Sequence, residues 1–366
     1  MPWVQRGHQD DQPIEIKKMK IATVQNGVST SHTDYTTTVT DVRLPSDRNA
    51  PTQQQLEDFC KGLKQIDSNA CCIHMTEQPS TTDHEVMPRP SEPSPRANQL
   101  TIAAGLNRLL TSIKPGNYEP CDLYDNYVRN FNHTAEELAE IAEMTKDQSS
   151  CLDWHTLRNG RMTASVMHRI LSRLTTLTRD PTADPEALLK SLTKHDDLSK
   201  SAIQWGIQQE PKARKRYSLV EKKRHRGLVV TETGLHISPK NPLFGCSPDG
   251  IVTCRCKESH TGRGNKWLIE IKCPASGKDL VPKEAAIKYC GLRDNGTLDP
   301  NHKYYTQIQC QLGVLQVNVC DLVVFTKRGV HVTEVPADHG KFSEIEEAAL
   351  KFGREYLFTY LLQTYF

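Results

Sequence analysis

The stretch WLIEIKCP, residues 267–274, decides how the rest of the chain is read. Trp267, Leu268, Ile269 and Ile271 are strand formers, and Pro274 ends the run. Glu270 and Lys272 interrupt it two residues apart, and on a strand residues i and i+2 point to the same face. Burying an anion beside a cation is costly unless something else requires both. The pair therefore marks a place where charge is wanted at the end of an apolar strand.

A second carboxylate bears on that place. Asp249 lies in SPDG, at the edge of the strand expected before the Glu270 strand, with Gly250 allowing a tight backbone. Antiparallel neighbours would bring Asp249 and Glu270 together, and two carboxylates in contact repel unless a cation lies between them. Oxygen-only ligands favour a hard cation, Mg²⁺ with Mn²⁺ as its substitute. Lys272 would then stand next to that ion, placed to stabilise charge building on a phosphate. On its own the triplet Glu-Ile-Lys also fits a surface salt bridge on an edge strand.

The 366 residues suffice for one large domain or two smaller ones. Lys plus Arg number 46 and Asp plus Glu 44, so the net charge of +2 does not define a partner. Hydrophobic residues make up 37%, low enough to imply some poorly packed chain. The opening MPWVQRGHQDDQPIEIKK lacks the apolar segment of a secretory signal, and the 12 cysteines have no regular spacing. Reduced thiols in an intracellular setting, nuclear or otherwise cytoplasmic, are the expectation. Cys254, Cys256 and His260 offer zinc ligands in a basic loop, against a reading as solvated thiols. The apolar run GVLQVNVCDLVVFT is broken by Gln316, Asn318 and Asp321 and is not expected to span a membrane.

The first half is less regular. Residues 20–44 have strand character without a clean apolar face, and a short helix is expected from Thr52, with Gln55 in a capping box. Five prolines between 76 and 98 mark a linker or long surface loop. The second half alternates helical and strand periodicities. A helix capped by Thr134 and Glu137 comes first, followed by one carrying Val166, Ile170 and Leu174. Another starts with Ile203 and Ile207 and is expected to kink at Pro211. Three strand-like runs follow (228–237, 243–253 and 267–274), then a helix over 302–316. A hairpin turning at Arg328-Gly329 and a last amphipathic helix over 341–363 close the chain. This is an α/β layer arrangement.

Asp249 followed by Glu270-x-Lys272 has the spacing of PD-(D/E)xK nucleases, and three further segments accompany it in order. DWHTLRNGRMTAS, AIQWGIQQEPKAR, CSPDG, LIEIKCP and YYTQIQ together resemble the lambda exonuclease family and its YqaJ-type viral recombinase relatives over residues 133–335. The resemblance implies a restriction-endonuclease-like core, a central mixed β-sheet flanked by helices over 133–366. An irregular α+β N-terminal region would precede it, with 1–98 ending in the Pro-rich linker and 99–132 connecting. It implies Asp249, Glu270, Glu210 and the Ile271 carbonyl as metal ligands, Lys272 as catalytic lysine and Gln307 as the orienting glutamine. Gln311 shares a face with Gln307, but the family pattern points to Gln307. Arg158 and Ser165, with Arg161 ranked below them, match the residues that grip a 5′-phosphate. The implied activity is Mg²⁺-dependent deoxyribonuclease action on duplex DNA ends, 5′→3′, in recombination or repair; some members form a ring of three subunits. An endonuclease and a non-catalytic DNA-binding module are the rival readings.

Residues 212–226, KARKRYSLVEKKRHR, add a basic run. It is read as a solvated helix face, a DNA backbone track or a nuclear import signal.

Overall fold

Strand β6 (Lys266–Lys272) is buried from Trp267 through Ile271, and the neighbouring elements are arranged to cover it. The computed structural model describes residues 92–366 apart from 115, 117, 194–200 and 257–262. They belong to a unit running from Val86 to Phe366. The strand-like stretch 20–44 and the helix expected from Thr52 lie outside the described residues.

Two sheets form. The larger has the order β2-β5-β6-β7-β8, from β2 (Val229–Thr231), β5 (Gly250–Thr253), β6, β7 (Val319–Thr326) and β8 (Gly329–Pro336). β5 and β6 run antiparallel, with Gly250 opposite Ile269. β6 and β7 run parallel, with Glu270 opposite Leu322. The sheet is therefore mixed, and the parallel step requires a helical crossover between β6 and β7. The smaller sheet has the order β1-β4-β3, from β1 (Met162–Thr163), β3 (His236–Ser238) and β4 (Asn241–Cys246).

Ten of the helices frame these sheets. They are α1 (Pro95–Gln99), α2 (Ile102–Ser112), α3 (Pro120–Asn130), α4 (Ala135–Met144), α5 (Leu152–Arg158), α6 (Ala164–Arg179), α7 (Glu186–Leu192), α8 (Ser201–Glu221), α9 (Pro282–Cys290) and α10 (Lys303–Leu315). α11 (His339–Phe352) and α12 (Phe358–Tyr365) follow β8, joined by a π-helical turn at Gly353–Leu357. Tyr217 of α8 meets Trp267, while Gln307 and Gln311 of α10 meet Glu270. Residues 267 and 270 point to opposite faces of a strand, so α8 and α10 cover β6 from its two sides. Among the described residues no helix is long and apolar enough to cross a membrane.

The Thr134–Glu137 capping box forms, and α8 stays helical through Pro211. Its buried stripe is Gln209, Ala213, Tyr217 and Glu221, whereas Ile203 remains exposed. The first two strand-like runs each divide between the sheets, β2 from β3 and β4 from β5. The hairpin loop is Lys327-Arg328, with Thr326 paired to Gly329. Gly329 opens β8 at φ 136°, a conformation open to glycine.

The segment 99–132 corrects the expected domain partition. It is not a connector: α2 and α3 place Ile102, Leu106, Leu109, Leu123, Tyr124 and Tyr127 in one core with Met162, Ile170, Phe352 and Phe358. Within the Pro-rich stretch, Pro95 occupies the first turn of α1 behind a Ser94 N-cap. Proline is tolerated there because that N–H has no helical partner.

Leu106 is wholly buried, so Leu106→Ala should cost about 2–5 kcal/mol, read from the denaturant midpoint. A change under about 0.5 kcal/mol, as at a surface site, would return the segment to a connecting role.

Candidate active site

The turn before β5 delivers Asp249 to the edge of β6. A Cβ on Gly250 would meet the Ile269 side chain at 3.1 Å, so glycine lets the two strands close at this point. The Asp249 N–H donates to the Ile269 carbonyl at 3.2 Å, and the Ile271 N–H donates to Asp249 Oδ2 at 2.5 Å. Register then sets Asp249 beside Glu270.

Glu270 is 1% exposed. Gln307 Nε2 donates to its Oε1 and Gln311 Nε2 to its Oε2, each at 2.6 Å. The Lys272 ammonium bonds Oε1 as well and lies 4.6 Å from the Tyr304 ring centroid. A carboxylate has about four acceptor positions, so three donors leave room for one more ligand. Glu210 joins from α8, where Arg214 binds its Oε1 at 2.5 Å and donates to the Asp249 carbonyl at 3.1 Å.

The titration of these groups reflects the crowding. Burial pushes the Asp249 carboxyl well above its usual range, and the charges of Glu270 and Glu210 push it further. Burial also raises Glu210, against the Arg214 charge and with that of Glu270. Burial opposes the Lys272 ammonium, but Glu270 and Asp249 outweigh it and the net shift is upward. Three carboxylates whose charges act on one another, all oxygen donors, with the Gln311 Oε1 buried near Glu270 without a hydrogen-bond partner, have the chemistry that suits a hard divalent cation. Asp249, Glu270 and Glu210 are the residues that would hold it. The Ile271 carbonyl, expected as a further ligand, belongs to the residue whose N–H binds Asp249.

A second pocket adjoins this cluster. α5 lays the Arg158 guanidinium over the Trp154 ring, 3.9 Å from its centroid. Arg158 Nη2 reaches Thr163 Oγ1 at 3.5 Å, and Thr163 Oγ1 lies 3.2 Å from Ser165 Oγ. Ser165 is in the first turn of α6, which has no side-chain N-cap bond, so its N–H groups are available to an anion. Trp154 Nε1 donates to Ser247 Oγ at 3.0 Å, anchoring this pocket to the turn that carries Asp249. Burial pushes the thiol of Cys246, at the end of β4, well above its usual range, with Glu270 adding to the rise and Arg158 opposing it.

Arg161 is a correction. It borders the same pocket, but its side chain is buried and its donors reach the carbonyls of Pro242 (2.9 Å), Leu100 (3.2 Å) and Leu157. Burial lowers its pKa to about 10. It ties α1, α5 and β4 together and is not placed to grip a phosphate.

The structure brings Asp249, Glu270, Lys272, Glu210 and Gln307 into one cluster, and Arg158 and Ser165 into the adjoining pocket. Sequence reasoning passed over Gln311 in favour of Gln307 and did not single out Arg214 or Trp154. The i, i+4 spacings of Gln307/Gln311 and Glu210/Arg214 were the available signals. Gln309 turns away, donating to the Pro336 carbonyl at 2.9 Å. Of the proposed zinc ligands, His260 lies outside the described residues. Cys254 and Cys256 instead converge with His225.

Residues 153–318 match the family model of the YqaJ-like viral recombinase domain, a span that includes all five sequence motifs. The resemblance to YqaJ-type recombinases is shown over that segment. Among solved structures, LHK-Exo in complex with dAMP is 28% identical, with 58% of this chain and 96% of that chain covered and a TM-score of 0.42. The alkaline exonuclease LHK-Exo from Laribacter hongkongensis is 26% identical at the same coverages and TM-score. The Shutoff and Exonuclease Protein from Kaposi's sarcoma-associated herpesvirus is 14% identical, covering 87% and 94% with a TM-score of 0.38. No curated protein matches the chain. The family match and the carboxylate–lysine cluster together support a nuclease acting on DNA.

A carboxyl whose pKa is raised by folding loses stability as pH climbs through that folded value. In metal-free protein Asp249→Asn should therefore melt at a higher temperature than the native chain at neutral pH, with the gap closing in acid. Calorimetry across pH measures this. A lower melting temperature for Asp249→Asn at neutral pH would mean the ionised carboxylate is net stabilising.

Proposed function

We propose that the protein is a divalent-metal-dependent deoxyribonuclease that acts on the ends of duplex DNA in the 5′→3′ direction. The observation that carries this reading is the placement of the Asp249/Glu270/Glu210/Lys272 cluster beside the Arg158–Ser165 pocket, both anchored on the turn Ser247–Asp249. One pocket suits a terminal phosphate, and the other suits hydrolysis of the adjoining diester.

Asp249, Glu270, Glu210 and the Ile271 carbonyl would hold Mg²⁺, with Mn²⁺ as a substitute. When bound, that ion supplies Lewis-acid polarisation of the phosphoryl oxygens. Gln307 and Gln311 orient Glu270 from behind. Lys272, facing Glu270 and Asp249, keeps its proton and serves as a fixed positive charge for the developing phosphorane. Arg158 presents a planar fork of donors, and its stacking on Trp154 fixes that plane before a ligand arrives. Ser165 adds a hydroxyl and a helix N-terminus. Water adds to phosphorus as the bond to the 3′-oxygen breaks, and each new end then carries a 5′-phosphate suited to the same pocket.

The remaining cations of the run 212–226 have different fates. Arg214 turns inward to Glu210, while Lys212, Lys215, Arg216, Lys222, Lys223, Arg224 and Arg226 stay exposed. They are available to a DNA backbone.

Four rates at one salt concentration test the proposal: the native enzyme and Arg158→Ala, each on 5′-phosphorylated and 5′-hydroxyl duplex. Charge-assisted bonds contribute about 1.5–3 kcal/mol each, so Arg158→Ala should slow the phosphorylated end roughly ten- to a hundredfold. The hydroxyl end should change much less. Equal losses would make Arg158 a general backbone contact and favour internal cutting.

Lys272→Ala should lower the rate roughly 10²–10³-fold on either end, by the scale of other preorganised charges. Lys272→Arg should restore little, because a planar guanidinium does not replace a compact ammonium. Full activity in Lys272→Ala would remove it from the chemistry.

A further inference from the structure

We propose that His225, Cys254 and Cys256 form a binding site for a borderline-soft divalent cation of the Zn²⁺ type, separate from the carboxylate cluster. The three side chains come from two distant pieces of chain. His225 lies just beyond the end of α8, and Cys254 and Cys256 lie just beyond the end of β5. Their ligand atoms nonetheless fall within 4.8 Å of one another. Cys256 Sγ is 3.9 Å from His225 Nδ1. In a tetrahedral zinc site, with bonds of about 2.3 Å to sulfur and 2.0–2.1 Å to nitrogen, neighbouring ligand atoms sit roughly 3.6–3.8 Å apart. A small contraction would close these three donors on one ion.

The surroundings are those of a built site. Nδ1 of His225 faces the sulfur, while its Nε2 lies 3.6 Å from Glu221 Oε2. The two side chains are only 8% and 4% exposed. A carboxylate behind an imidazole fixes the tautomer that turns the lone pair of the other nitrogen toward a metal. The Trp267 ring, 4.9 Å from the imidazole centroid, holds the ring plane. On the sulfur side, the Arg226 N–H donates to Cys256 Sγ at 3.3 Å, which holds that sulfur in place. The Arg226 carbonyl accepts the Arg255 N–H at 2.7 Å, so the two loops are already joined by backbone.

Two thiolates would balance the charge of one divalent cation, each thiol releasing its proton to solvent on binding. Sulfur and imidazole select against Mg²⁺, which prefers oxygen. The two sites on the chain would therefore hold different ions. Three protein ligands leave a fourth position for water or another donor. The ion would pin the end of the helix that carries Glu210 to the strand that begins after Asp249, a structural task distinct from the chemistry.

The test uses the full chain, stripped with a chelator and kept reduced, and titrated with Co²⁺ as a spectroscopic stand-in for Zn²⁺. One equivalent should produce thiolate-to-cobalt charge-transfer absorption, which Zn²⁺ abolishes and excess Mg²⁺ does not. The double variant Cys254→Ser/Cys256→Ser should lose the signal, and the distant Cys151→Ser should keep it. Glu221→Gln should weaken binding about 10–100-fold, as a supporting carboxylate does. Should the double variant fail to fold, alkylation mapping of the native chain replaces it, and Zn²⁺ should protect Cys254 and Cys256 selectively. No charge-transfer absorption in the native chain, an undiminished signal in the double variant, or no selective protection would each overturn the proposal.

Discussion

The buried carboxylate of Glu270 is the interaction on which the arrangement depends. A nearly inaccessible anion in the middle of a sheet is untenable without donors. Here Lys272 comes from its own strand, and Gln307 and Gln311 come from α10, which covers the same face of β6. Those amides can reach only if α10 crosses that face of β6, which the β6–β7 crossover secures. The parallel pairing of β6 with β7, the placing of α10 and the satisfaction of Glu270 are thus one constraint seen at three levels. The same constraint leaves a single acceptor position on Glu270 pointing into the cluster.

Asp249 makes the second half of the site, and its position is a matter of backbone rather than side-chain choice. The strand ahead of it belongs to the small sheet and the strand after it to the large one. The SPDG turn is the point of transfer between sheets. At such a point the chain is held on both sides, and the Ile271 N–H fixes the carboxylate to the β6 edge. Because Trp154 binds Ser247 in the same turn, the arginine pocket and the carboxylates share one support. Movement of either would carry the other, which is what the proposed alignment of a terminal phosphate with its adjoining diester calls for.

Much of this was legible in the sequence where local chemistry is strong. Glu270 and Lys272 inside an apolar strand announced a charged face, and Thr134 with Glu137 announced a helix start. What escaped depended on long-range packing. Arg161 looks like any arginine beside a phosphate motif, and only the carbonyls of Leu100 and Pro242, remote in sequence, reveal it as a buried clamp. Residues 99–132 follow a Pro-rich stretch, so their apolar positions read as a connector until α11 and α12 supply the other half of their core. The runs 228–237 and 243–253 each had the length of one strand. Nothing local marks the switch between sheets within them.

α8 shows how one helix can serve several charged centres. Glu210 and Arg214, four residues apart, face Asp249. A turn further, Tyr217 donates to the buried Asp321 at 2.5 Å, beside the Trp267 indole. Another turn brings Glu221 to His225. Each of these groups would be costly to bury alone, and each is answered by a partner: Arg214 of the same helix for Glu210, Asp321 of the sheet for Tyr217 and His225 of the following loop for Glu221. Such a helix has little ordinary amphipathic character, and its buried positions are mainly polar or small: Gln209, Ala213, Tyr217 and Glu221. Pro211 removes one backbone donor within it at a cost of about 3 kcal/mol in an isolated helix. The helix persists there because it is held from outside, by Arg214 on the Asp249 carbonyl and Tyr217 on the sheet. Its stability is therefore borrowed from the site that it helps to build, which makes the carboxylate cluster and the helix a single cooperative unit.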